Sequence, residues 1–172
     1  METKTIFIIR HAKSDWTTAV PDFERPLTKR GCGDARAMGG LLAAYAIDLV
    51  WCSPARRTLQ TWEQACVGGA HANQVETRPS LYDTWAESLA LAMTWVEDAV
   101  SVLAIVNHQP TVGGLVALLA QPSELTSQVA WHFPTAGVAI LTHQGSWDSI
   151  AASSATLESF TPVRAGQTLS PP

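Results

Sequence analysis

Two histidines and at least two arginines in this chain stand where they could do chemistry. Arg10-His11 follows the run Thr5-Ile6-Phe7-Ile8-Ile9, Arg56-Arg57 follows Cys52-Ser53-Pro54, and Asn107-His108 follows Val102-Leu103-Ala104-Ile105-Val106. The residue types suit phosphoryl transfer. A neutral imidazole can attack phosphorus in line and carry the phosphoryl group as a covalent intermediate. The charge on the equatorial oxygens then calls for fixed donors, and guanidinium forks match phosphate bidentately. A second histidine, protonated, adds one more donor, and a helix starting near Pro54 turns its positive end to the same side. Each feature alone is ordinary: a histidine after a strand is commonly a loop residue, and an arginine pair at a helix start is common. Their coincidence at three strand ends is what points to a site.

The elements that must position these residues alternate short apolar runs with longer amphipathic ones. The runs at Thr5-Ile6-Phe7-Ile8-Ile9, Leu49-Val50-Trp51-Cys52 and Val102-Leu103-Ala104-Ile105-Val106 read as strands covered on both faces, and Val75 to Thr77 as a weak strand. Thr28 sits where an N-cap belongs, ahead of Ala35, Met38, Leu42 and Tyr45 at helical spacing. A second helix is expected from Ala55 to about Ala65, with Pro54 in its first turn. A third carries Leu89, Met93, Val96 and Val100, and a fourth Val112, Leu115, Val116 and Leu119. Gly137 to Thr142 and Trp147 to about Ala152 read as two closing strands around a turn at His143-Gln144-Gly145-Ser146. Strand and helix alternating over short links imply an α/β fold: a mainly parallel central sheet with helices on both faces, in three layers. Ligands of such sheets lie beyond the carboxyl ends of the strands. That is the rim on which the two histidines fall.

Composition bounds the rest. The 172 residues are 47% hydrophobic and 15% charged, with no repeat or linker-like tract, so 1–172 is read as one domain. A net charge of −4 argues against nucleic acid or an anionic membrane as the main partner. No apolar run reaches the roughly 18 residues of a membrane span. Met1-Glu2-Thr3-Lys4 leads straight into a strand without the layout of a signal peptide, so a cytoplasmic location is expected. Cys32, Cys52 and Cys66 are odd in number and fit no zinc spacing; they are read as reduced thiols, with no metal and no cofactor implied. The Pro171-Pro172 end is expected to be loose.

At these residues the chain resembles the histidine phosphatase superfamily. Arg10-His11-Ala12 is similar to the family's Arg-His-Gly opening, with Ala for Gly. The stretches RHAKSDW, DFERPLTKRG, SPARRTLQT, VNHQPTVGGL and FPTAGVAIL resemble the compact SixA-type phosphohistidine phosphatases, from Thr5 to about Thr142. The resemblance implies a phosphoglycerate mutase-like fold and a hydrolase acting on phosphohistidine in a protein. By it, His11 is the phosphorylated nucleophile, Arg10 and Arg57 (rather than Arg56) hold phosphate oxygens, and His108 is the second histidine. The implied partner is a monomeric enzyme's phosphoprotein substrate, a histidine-containing phosphotransfer domain or a phosphocarrier of sugar transport.

Two positions depart from the family pattern. Where larger members carry a phosphate-binding Asn six residues after the nucleophile, this chain has Thr17, whose hydroxyl could donate instead. Asp83, in Leu81-Tyr82-Asp83, is the first candidate for the family's general acid and Glu87 the second; Asp83 reads equally well as a carboxylate at a helix start. A free imidazole leaving group, with a pKa of about 6.5, does without acid help better than an alkoxide does. A weak acid therefore favours P–N substrates.

Rival readings are a broad acid phosphatase, which would require Asp83 as an acid, and a phosphate-binding module without turnover. A cysteine phosphatase loop at Cys52-Ser53-Pro54-Ala55-Arg56-Arg57 is one residue short and has no Gly. Asn107-His108 lacks the acidic companions of a two-metal site. No nucleotide-binding glycine motif is present.

Overall fold

The structure is a computed structural model describing residues 2–167; the Pro171-Pro172 end lies outside the described residues. Six strands form one sheet in the order β3-β2-β4-β1-β5-β6. They are β1 (Thr3–Arg10), β2 (Ile47–Cys52), β3 (Ala72–Thr77), β4 (Val102–Asn107), β5 (Gly137–Gln144) and β6 (Ala155–Pro162). The pairs β2–β3, β2–β4 and β1–β4 are parallel, and β5 runs antiparallel to β1 and to β6. The sheet is thus mainly parallel with a hairpin on one edge, in the phosphoglycerate mutase-like arrangement.

Alternation along the central strands builds two cores. Phe7 and Ile9, Val50 and Cys52, and Ala104 and Val106 face α1 (Lys29–Leu42) and α2 (Arg56–Val67). Ile6 and Ile8, Leu49 and Trp51, and Leu103 and Ile105 face α3 (Ala86–Met93), α4 (Thr111–Leu119) and α5 (Glu124–Trp131). Strands buried on both faces must be apolar throughout, which is why these runs are continuous rather than alternating. α1 and α2 touch so closely that a Cβ on Gly39 would lie 1.9 Å from the Ala65 carbonyl oxygen. That contact seats α2, the helix that carries Arg57.

Several elements differ from the sequence reading. Thr28 caps α1, its side chain accepting from the Gly31 amide, but Tyr45 lies beyond the helix and packs edge-on against Phe7. α2 begins at Arg56 with Ala55 as its N-cap, so Pro54 lies just before the helix rather than in its first turn. β3 begins at Ala72, earlier than Val75, and α3 ends at Met93, before Val96 and Val100. The sequence reading leaves α5 out; Ser123 caps it by accepting from the Thr126 amide. His143 lies in β5 rather than in a turn, and Trp147–Ser149 is a 3₁₀ turn. Trp147 is buried there with its indole N–H donating to Val100 O at 2.8 Å, so its apolar signal comes from core packing and not from a strand. Among the described residues no helix is long and apolar enough to cross a membrane.

Candidate active site

Register brings the candidate residues together. β2, β4 and β1 are adjacent, with Arg10 opposite Asn107 and Cys52 opposite Val106. The residues that follow, His11, His108 and Ser53, therefore leave three neighbouring strands at one level. Arg10, His11, Arg57 and His108 line a single cleft of about 300 Å³. The imidazole centroids of His11 and His108 are 5.3 Å apart.

His11 is held from several sides. Its amide donates to Asn107 O at 3.1 Å and its carbonyl accepts from the Ala136 amide at 3.1 Å, while the Ala12 amide donates to Thr61 Oγ1 at 3.0 Å. Ala136 takes a positive φ of 57° to make this contact, a conformation that costs a non-glycine residue energy and marks a locally over-determined backbone. His11 Nδ1 lies 2.8 Å from Ala12 O. A carbonyl only accepts, so Nδ1 carries the proton and Nε2 of the neutral ring has the lone pair. Burial, at 6% exposure, lowers the His11 pKa to about 3, and the charges of His108, Arg57 and Arg10 push the same way against the Ala12 hydrogen bond. Near neutral pH the ring is uncharged.

The donors around it are incomplete. Arg10 Nη1 donates to Phe133 O at 2.7 Å, and Arg57 Nη1 and Nη2 donate to Asp22 O and Oδ2 at 2.7 and 3.1 Å. Arg10 Nε, Arg57 Nε and His108 Nδ1 are buried without a partner. Buried polar atoms are rarely left unpaired, and the three residues that carry these line one cleft, where guanidinium and imidazole groups suit the oxygens of a tetrahedral anion. Burial, followed by the Arg57 charge, lowers the His108 pKa to about 4.

The other sequence candidates lie further out. Thr17 is exposed and is not among the cleft residues; its amide and hydroxyl both donate to Asp15 Oδ1 at 2.7 Å. Asp83 lines an adjoining, wider cleft of about 410 Å³ that shares Arg57 and His108. It does not cap α3, whose N-cap is Trp85, so its alternative reading as a helix-start residue falls away; Glu87 is the acid in that first turn. Arg56 is exposed whereas Arg57 is buried. Cys52 is buried, and burial pushes its thiol up to about 12, which leaves no thiolate for a cysteine mechanism.

Sequence reasoning missed Asp22, Arg25, Tyr82 and the partner role of Ser53. Asp22 Oδ1 takes Arg25 Nε at 3.1 Å, and its Oδ2 takes the Tyr82 hydroxyl at 2.8 Å as well as Arg57. Burial raises the Asp22 pKa, but Tyr82, Arg57 and Arg25 outweigh it and hold the carboxyl at about 2. Arg25, buried, stacks on Trp16 at 3.5 Å and donates to Ser14 Oγ at 2.6 Å. No periodicity marks these residues, because all lie between elements: Asp22 and Arg25 between β1 and α1, Ser53 after β2, and Tyr82 between β3 and α3. The one available signal was the DFERPLTKRG stretch itself.

Known proteins resemble this chain in sequence and in fold. The family model of the Histidine phosphatase superfamily (branch 1) matches residues 6–159. The chain is 35% identical over 158 residues to the uncharacterized protein Rv1276c of Mycobacterium tuberculosis, covering 88% of this chain and 98% of that one. It is 33% identical over 134 residues to the phosphohistidine phosphatase SixA of Escherichia coli, covering 73% and 82%. A solved structure assigned as a phosphohistidine phosphatase SixA from Nakamurella multipartitia superposes with a TM-score of 0.83 at 29% identity, over 95% of this chain and 98% of that chain.

Proposed function

The chain belongs to the histidine phosphatase superfamily, branch 1, and from that premise we propose that it hydrolyses phosphohistidine on a protein through a covalent phosphohistidine at His11. The observation that carries the reading is the neutral His11 ring beside three buried, unpaired donors on Arg10, Arg57 and His108. Nε2 of His11 attacks phosphorus, and the P–N bond to the substrate imidazole breaks. The leaving nitrogen takes a proton from solvent. Arg10, Arg57 and His108 hold the equatorial oxygens as charge shifts onto them. Water then attacks the phosphoryl group on His11, releasing inorganic phosphate and returning Nε2 to its free state.

Two features favour a P–N bond on a macromolecule. Asp83 is the sole carboxylate besides Asp22 among the residues lining the two clefts, and Asp22 stays ionised, so acid help for an alkoxide is weak. Trp16 and Trp85, both largely exposed, border the clefts, and Phe23 packs edge-on against Tyr82 beside them. Exposed aromatics at the mouth of a site suit a protein surface better than a small ester. The assignment of the Escherichia coli and Nakamurella multipartitia relatives as phosphohistidine phosphatases supports the same substrate class.

The test is a panel under one set of conditions: a phosphorylated histidine-containing phosphotransfer domain, a histidine phosphocarrier, sugar phosphates and para-nitrophenyl phosphate. Preference for the phosphohistidine proteins is expected. Fast, unselective ester hydrolysis would instead favour a broad acid phosphatase, and binding without turnover a silent phosphate-binding module.

A further inference from the structure

Ser53 is the first residue beyond β2, is fully buried and lines neither cleft. Its backbone is fixed on both sides: the amide donates to Val106 O at 3.0 Å, and the carbonyl accepts from Thr58 Oγ1 at 2.7 Å. Its Oγ lies 2.7 Å from His108 Nε2. Among the described residues neither atom has another hydrogen-bond partner, and Nδ1 of the same ring has none.

We infer that Ser53 is a positioning residue for His108: its hydroxyl donates to Nε2 and thereby keeps the ring proton on Nδ1, toward the phosphoryl oxygens. A neutral imidazole has one N–H and one lone pair, and the partner of one nitrogen decides the state of the other. His108 borders both clefts while Ser53 borders neither, so Nε2 is turned to the strand end and Nδ1 is the nitrogen left for a ligand. Arg57, Asp22, Arg10 and Arg25 act on His108 through their charge, and the His11 and Tyr82 rings pack near it. None of them hydrogen-bonds to a ring nitrogen, so they do not choose between the two.

A hydroxyl can also reverse its role. When a bound phosphoryl dianion draws a second proton onto the ring, Nε2–H donates and Ser53 Oγ accepts. Nδ1 then presents an N–H in both states, and the oxyanion keeps its donor through the reaction. The opposite arrangement, with Nε2–H donating to Ser53 in the neutral ring, would set a bare Nδ1 lone pair against anionic oxygens.

The catalytic consequence rests on the phosphoryl-transfer reading, whereas the tautomer is a property of the free protein. Ring-nitrogen NMR on the free, ¹⁵N-histidine-labelled protein at neutral pH, with His108 assigned by the signals lost in His108→Gln, reads it directly. Expected are a protonated Nδ1 and an acceptor Nε2 in the wild type. In Ser53→Ala the Nε2–H form should grow, and kcat on a phosphohistidine protein should fall roughly tenfold with KM little changed. Ser53→Thr, which keeps the hydroxyl, should restore the wild-type tautomer. A wild-type proton on Nε2 overturns the inference without any variant having to fold, and so does a Ser53→Ala protein with unchanged tautomer and kcat. If the substrate panel fails, the free-protein spectrum still decides the question.

Discussion

Arg57 grips both ends of Asp22: Nη1 donates to its carbonyl oxygen at 2.7 Å and Nη2 to Oδ2 at 3.1 Å. The same carboxylate also takes Arg25 and the Tyr82 hydroxyl, so one residue on the loop between β1 and α1 fixes the plane of a guanidinium that starts α2. Only Arg57 Nε is left buried and unpaired in that head group.

Asp22→Ala should therefore separate binding from turnover. Removing a negative charge from an anion cleft should leave the Kd for inorganic phosphate unchanged or lower. Loss of the anchor should reduce kcat about tenfold or more, the usual scale for a charged hydrogen bond. Asp22→Asn, which keeps a side-chain oxygen for Arg57 but loses the charge, should fall between. Calorimetric phosphate titrations beside initial rates would check this; an unchanged kcat in Asp22→Ala would refute the anchoring role.

Acid should destabilise the fold through the two histidines. Their folded pKa values, about 3 for His11 and about 4 for His108, lie below the ordinary value of 6.5. Below pH 6.5 the unfolded chain therefore binds protons that the folded protein does not, and stability falls as pH drops from there toward 4 and 3. Asp22, held at about 2, contributes only at lower pH. Thermal melts at pH 7.5, 6, 5 and 4 should show Tm falling across this window, and the slope should be shallower in a His11→Ala, His108→Gln double variant. An equal slope in that variant would place the titrating groups elsewhere.

Asp83→Asn should distinguish substrate types. The side chain is exposed, borders the wider cleft and caps no helix, so stability should change by no more than about 0.5 kcal/mol. If it supplies a proton to an alkoxide, ester hydrolysis should fall roughly 10²-fold. Cleavage of phosphohistidine, with its better leaving group, should fall much less. Parallel rates on para-nitrophenyl phosphate and a phosphohistidine protein measure the split, and equal large losses on both would contradict the leaving-group argument.

The sequence makes the sheet and the rim legible for one reason: strands buried on both faces are continuous apolar runs, and polar residues break them at their ends. Arg10-His11 and Asn107-His108 stand at such breaks, so their meeting follows from parallel pairing alone. The hairpin was misread because Trp147 is apolar for the sake of the core and not of a strand, while β6 alternates too loosely to stand out. Thr17 matches the position of a phosphate ligand by counting along the chain, but a local turn with Asp15 uses both its donors. Asp22 and Arg25 left no pattern to read. Their function lies in a loop folded over α2, and loop geometry carries no periodic signal.

The central claim is that His11 carries the phosphoryl group, and trapping it tests this most directly. His108→Gln, slowed by the loss of one donor, is mixed with a phosphohistidine protein, quenched in alkali (which preserves P–N bonds) and digested for mass spectrometry. The account predicts one phosphoryl group on the peptide containing His11, on Nε2, and none in His11→Ala, which should stay folded and turn nothing over. A phosphoryl group on Cys52 or on another residue, or turnover by His11→Ala at the wild-type rate, would contradict it.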